Sequence, residues 1–165
     1  MKLHLRQAQI ADASAVAALV QAGFNEFVAP DWEPQAREVF ATESSPDRFA
    51  QLLAEPAFAS VAEAGERVVG FILLPTPNLL GFLFIDGRVH RQGIAKALWQ
   101  AARAHIEAAH RSVKTVELNS SPYAVSAYRA LGFYPISEPF KRGGCVATRM
   151  ASWLPGQALA APNAA

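Results

Sequence analysis

The stretch that decides the fold is Phe84-Ile85-Asp86-Gly87-Arg88-Val89-His90-Arg91-Gln92-Gly93-Ile94-Ala95-Lys96-Ala97-Leu98. An apolar strand runs into a short polar turn, and a helix then opens on small residues. The first turn of a helix carries unpaired N–H groups and the positive end of the macrodipole, which makes it an anion site. Gly93 and Ala95 let a phosphate approach the backbone, while Arg91 and Lys96 add positive charge. A pyrophosphate suits these features better than an isolated carboxylate does. Gly-x-Gly-x-x-Gly and the Walker Gly-Lys-Ser/Thr ending are both absent, which argues against a dinucleotide-binding fold and a P-loop NTPase.

Outward from this junction, the helix that begins at Gly93 runs to about Ala109. Ile94, Ala97, Leu98, Ala101, Ala102, His105 and Ile106 are its expected buried stripe. On the N-terminal side, Leu79–Asp86 reads as one strand, preceded by a hairpin of Ala57–Ala64 and Arg67–Leu74 turning at Gly65. Lys2–Arg6 alternates like an edge strand, and Asp12 is a plausible N-cap for a helix to about Phe24. Pro34 and Pro46 suit the first turns of helices over Pro34–Thr42 and Pro46–Ala54. On the C-terminal side come a strand at Thr115–Asn119, a helix at Pro122–Leu131 stopped by Gly132, and closing strands at Phe133–Ser137 and Val146–Trp153. Strands and helices mix without βαβ alternation. The pattern predicts an α+β fold, a mixed sheet covered by helices, in a single domain over 1–154 with a flexible tail over 155–165.

The 165 residues suit one domain, and 52% hydrophobic with 18% charged is a globular composition. Fifteen basic and fourteen acidic side chains nearly cancel, so no basic excess favours nucleic acid or an anionic membrane. The only cysteine, Cys145, rules out an internal disulfide framework. It follows Gly143-Gly144 without an evident base and reads as a buried structural thiol. No signal-peptide pattern or long apolar run occurs, and a cytoplasmic, soluble protein is expected. His4, His105 and His110 make no metal-ligand spacing, so no metal is expected.

His90-Arg91-Gln92-Gly93-Ile94-Ala95 resembles motif A of the GCN5-related N-acetyltransferase (GNAT) superfamily, Gln/Arg-x-x-Gly-x-Gly/Ala, with His90 departing from the usual first residue. A second segment, Thr115 to Phe133, resembles the later part of the same superfamily: a strand ending in Asn119, then a helix with Tyr128 before Leu131-Gly132-Phe133. Asn119-Ser120-Ser121-Pro122-Tyr123-Ala124-Val125 matches the wording of one bacterial subgroup. The two motifs stand in the family's order, and the similarity spans about Lys2 to Trp153. It implies a mostly antiparallel sheet of about six or seven strands, splayed at an acyl-CoA site. It further implies acetyl-CoA as cofactor, held by Phe84 and Ile85 through backbone amides, by the loop His90, Arg91, Gln92, Gly93, Ile94, Ala95 and Lys96, and by Asn119 and Tyr128.

By the same resemblance Tyr128 lies near the cofactor sulfur, where a neutral phenol can protonate the leaving thiolate. Tyr128 also reads as a residue packed on an apolar helix face, and Asn119 as a helix cap. Relatives place a glutamate on the strand before motif A, but Leu79–Ile85 carries no acid. Glu26 is the first candidate for the base, ahead of Asp31, Asp86, Glu117 and His90. The expected reaction is acetyl transfer to a small-molecule amine acceptor in a ternary complex. A protein amine as acceptor and a CoA-binding module without catalysis are the alternatives. A homodimer is a common state of look-alikes.

Overall fold

The apolar hairpin predicted around Gly65 forms the centre of the first sheet in the computed structural model, which describes residues 2–155. The expected tail lies outside the described residues apart from Pro155. Strands β1 (Leu3–Gln7), β2 (Phe58–Ala64), β3 (Arg67–Leu74) and β4 (Phe82–Ile85) pair in that order, each antiparallel to the next. From Val69 to Leu74, β3 is buried throughout, because helices cover both faces. Ala59, Val61, Phe71 and Leu73 pack towards α1 (Ala13–Phe27) and α3 (Pro46–Leu52). Ala62, Val69, Ile72 and Leu74 pack with α4 (Ile94–Ala109). Helix α2 (Pro34–Glu43) and α3 both begin on proline, and the Ser45 hydroxyl caps α3 by accepting from the Arg48 N–H at 3.2 Å.

The second sheet has β8 (Cys145–Trp153) in its middle, flanked by β5 (Thr115–Ser120) and the two-residue β6 (Tyr134–Pro135). The short β7 (Phe140–Arg142) forms a hairpin with β8. Helix α5 (Val125–Ala130) follows a 3-10 turn at Pro122–Ala124. The fold is therefore α+β, as expected. Eight strands replace the expected count because the closing region also forms β7, a short exposed strand with no burial alternation to mark it.

Among the described residues, one backbone bridge joins the two sheets. The Leu80 N–H donates to Glu117 O at 2.9 Å, and the Glu117 N–H to Asn78 O at 2.9 Å, a parallel bridge. One residue later, the Gly81 N–H turns back to Leu73 O at 2.9 Å. The expected strand Leu79–Asp86 is thus broken at Leu80-Gly81, and only Phe82–Ile85 continues as β4. Beyond the break β4 pairs only with β3, and β5 only with β8, so a wedge opens between them.

Helix α4 buries Ile94, Leu98, Trp99, Ala102 and Ile106. His105, expected in the stripe, is exposed, and Trp99 takes its share of the interface. Trp99 is drawn in by Phe133, whose ring lies 4.7 Å from its own. At Gly70 the helix lies so close that an added Cβ would sit 2.9 Å from Ile94 Cγ2 and 3.1 Å from Leu98 Cδ1. This seats the start of the helix, and the loop before it, against the sheet.

Candidate active site

The turn between β4 and α4 is built by a short sequence of local bonds. The Asp86 carboxylate accepts from the Arg88 N–H at 3.0 Å and pairs with the Arg88 guanidinium at 2.6 Å. That partner holds the Asp86 carboxyl down at about 2. His90 Nε2 lies 2.9 Å from Ile85 O. A carbonyl only accepts, so Nε2 is the donor, and in the neutral ring Nδ1 keeps its lone pair.

Two residues then enter the left-handed region, Arg91 at φ 64° and Gly93 at φ 79°. This bend leaves a row of donors. From Arg91 through Lys96 no backbone N–H is bonded among the described residues, and helical bonding resumes at Ala97 N–H to Gly93 O, 3.0 Å. The Arg91 and Lys96 side chains make no ion pair there either. Such a cradle, at the positive end of a helix, fits a pyrophosphate.

The wedge between β4 and β5 opens into a cavity of about 480 Å³. Phe24, Phe27, Trp32, Phe40, Phe82 and Phe84 form one wall. Phe24 stacks on Phe40 at 3.8 Å between ring centroids, with Trp32 edge-on at 5.1 Å. Phe27 stacks on Tyr123 at 4.8 Å and lies 5.1 Å from the His90 ring, so α1 reaches across the wedge to the segment after β5. The opposite wall comes from the β7–β8 hairpin, through Phe140, Arg142, Cys145, Val146 and Ala147. Its tip docks on the start of α2: the Glu33 N–H donates to Gly144 O at 3.0 Å, and Lys141 Nζ pairs with Glu33. At Gly144, with φ 81°, a Cβ would lie 3.0 Å from Glu33 Cβ.

Phe84, Ile85, His90, Ala95, Asn119 and Tyr128 all line this cavity. Arg91, Gln92, Gly93, Ile94 and Lys96 belong to the adjoining N–H row. The exposed Asn119 makes no side-chain hydrogen bond among the described residues. Tyr128, on α5, packs edge-on against Phe133 at 5.7 Å. Its surroundings are apolar, and burial pushes its phenol well above the ordinary 10.0. The group is a protonated donor at neutral pH.

Glu26 is brought elsewhere. It lines a second cavity with Ala22, Glu66, Arg67, Asp86 and Arg88, and lies near Gly87. Gly23 borders both cavities. Cys145 is half-buried and lines the aromatic cavity, contrary to the expectation of a fully buried thiol, because the hairpin ends at the cavity wall. Burial raises its pKa, which keeps the thiol protonated. Arg142 escaped the sequence reading. The signal available was Gly143-Gly144 between two β-type runs, a hairpin turn that would have placed Arg142 beside Cys145.

A family description, acetyltransferase (GNAT) domain, matches residues 28–154 of the chain. The chain belongs to the GNAT family of acetyltransferases, enzymes that transfer acetyl groups. Solved structures share the fold at low identity. A GCN5-related N-acetyltransferase from Rhodopseudomonas palustris is similar over 93% of this chain and 97% of its own, with TM-score 0.79 and 20% identity. The PaiA N-acetyltransferase of Thermoplasma acidophilum, in complex with coenzyme A, is similar over 93% and 99%, with TM-score 0.76 and 16% identity. The ribosomal-protein-S18-alanine N-acetyltransferase of Escherichia coli covers 98% of both chains, with TM-score 0.66 and 18% identity. No curated protein matches in sequence. No helix among the described residues is long and apolar enough to cross a membrane.

Proposed function

We propose that this chain transfers an acetyl group from acetyl-CoA to the primary amine of a small molecule, directly, in a ternary complex. The observation that carries the reading is the unbonded N–H row Arg91–Lys96 opening onto a wedge that Tyr128 lines. When bound there, acetyl-CoA supplies an acetyl thioester. The N–H row with Arg91 and Lys96 holds its pyrophosphate. The edge of β4 that faces away from β3, at Phe84 and Ile85, would receive its pantetheine arm, chiefly through the Ile85 N–H, with Asn119 lining the same cavity. Tyr128 would hold its hydroxyl proton towards the leaving sulfur, where it could protonate the thiolate released as the acetyl group passes to the amine. The acceptor side of the cavity is enclosed by α1, α2 and the β7–β8 hairpin and lined by aromatic rings, which favours a small molecule over a protein.

For the amine proton we assign His90 ahead of Glu26. His90 lines the cavity with Nδ1 free, whereas Glu26 lines the neighbouring one. The lone Cys145 supports cytoplasmic residence.

Tyr128→Phe tests the reading. It is expected to bind acetyl-CoA as tightly as the native enzyme by calorimetry, while thiol release in the presence of an amine falls by about a hundredfold or more. Undiminished turnover removes Tyr128 from the mechanism, and absence of acetyl-CoA binding to the native protein removes the whole reading.

A further inference from the structure

Resting on that reading, the charge inventory of the aromatic cavity narrows the acceptor. Among the described residues that line it there is no Asp, Glu or Lys, and Arg142 is the only permanently charged side chain. Five other arginines of the described chain are ion-paired, Arg6, Arg48, Arg88, Arg103 and Arg149, while Arg67, Arg91, Arg111 and Arg129 are unpaired like Arg142 but do not line this cavity. Arg142 makes neither an ion pair nor a side-chain hydrogen bond there, although its neighbour Lys141 is paired to Glu33. Arg142 is exposed and lines the cavity, so its guanidinium is open to a ligand that accepts.

Polyamines and amino sugars carry several ammonium groups and need carboxylates in the pocket that receives them. This pocket has none. Its aromatic faces suit an apolar or aromatic body, and its unpaired guanidinium suits a carboxylate, which it can grip with two parallel hydrogen bonds.

We propose that the acceptor is an amine with an apolar, preferably aromatic, body and a carboxylate. Arg142 takes the carboxylate, while Phe24, Phe40 and Trp32 receive the body. Arg142 is thus the specificity-determining residue, contributed by the β7–β8 hairpin.

Two experiments test this. In the first, thiol release from acetyl-CoA is followed with phenylalanine, tryptophan, phenethylamine, spermidine and an aminoglycoside. Phenylalanine or tryptophan is expected to give the highest kcat/KM, and Arg142→Gln to raise KM for them by about tenfold or more. Preference for spermidine or the aminoglycoside overturns the proposal and leaves the acetyltransferase reading intact. So does an equal effect of Arg142→Gln on phenethylamine, which has no carboxylate for it to hold.

The second experiment needs no cofactor. Indole-3-propionate is titrated into the free protein and into Arg142→Gln by calorimetry. Binding to the native protein that weakens by about tenfold or more in the variant supports the proposal. No binding, or equal binding, overturns it. Failure of acetyl-CoA itself to bind removes the acetyltransferase reading and with it the acceptor role, whereas this titration alone decides whether Arg142 holds a carboxylate in the aromatic cavity.

Discussion

Gly93 adopts φ 79°, and a Cβ built on it meets nothing within 4 Å. Gly93→Ala therefore costs only the left-handed backbone strain, about 1 kcal/mol, and keeps the N–H row. Gly93→Glu adds a carboxylate beside that row, where phosphate is expected. Calorimetry should show acetyl-CoA affinity lost in the glutamate variant and largely kept in the alanine variant. Equal affinity in both would detach the cofactor from this loop. His90 bears a similar argument. His90→Asn should lower kcat more than it raises KM for acetyl-CoA, and Glu26→Gln should change kcat by less than about twofold. If Glu26→Gln is the more damaging of the two, the base is Glu26 acting from the neighbouring cavity.

At the scale of elements, α4 and β3 depend on the bare backbone at Gly70. A methyl group there would press on Ile94, Leu98 and Ile85, all within 3.1 Å of the added atom. Gly70→Ala is expected to destabilise the fold by about 1–3 kcal/mol in urea unfolding. Ile94 is both the contact and the first residue of the helix, so acetyl-CoA should also bind more weakly. A fully stable variant with weakened binding would show that the helix moved without loss of packing. A variant unchanged in both would show that α4 is not held by this contact.

At the scale of the molecule, one ion cluster joins distant parts of the chain. The Arg6 guanidinium, on β1, holds Asp12 before α1 at 2.8 Å and Glu63 on β2 at 2.6 Å. It lowers both carboxyl pKa values, chiefly through its hydrogen bonds. A carboxylate lowered by folding stabilises above its unfolded value, here 3.8 for aspartate and 4.5 for glutamate, and that contribution vanishes as pH falls through the folded value. Asp86 adds a further acid-sensitive contact down to about 2. Tm should therefore fall steadily as pH drops from about 4.5 towards 2. Arg6→Met should lower Tm at pH 7 and flatten that fall. An unchanged slope would mean that the cluster is not the acid-sensitive feature.

The local sequence determined the hairpin at Gly65, the proline-led starts of α2 and α3, the left-handed glycine before α4 and the anion-ready loop, because each rests on backbone conformation or the spacing of neighbours. Two motifs in order pointed to the family. What only the tertiary structure decided is the cavity. Leu80 and Gly81 turn their N–H groups to different strands, and that split, invisible in an apolar run, opens the wedge. Trp99 is buried because Phe133, from the segment before β6, packs on it at 4.7 Å, a contact made far along the chain. Glu26 and Arg142 exchange importance for the same kind of reason: both are charged residues near element ends, and only the docking of the β7–β8 hairpin at the start of α2 brings Arg142 to the cavity while α1 carries Glu26 past it. A side chain's chemistry is written in its own position, but the groups it meets come from segments far away in the chain.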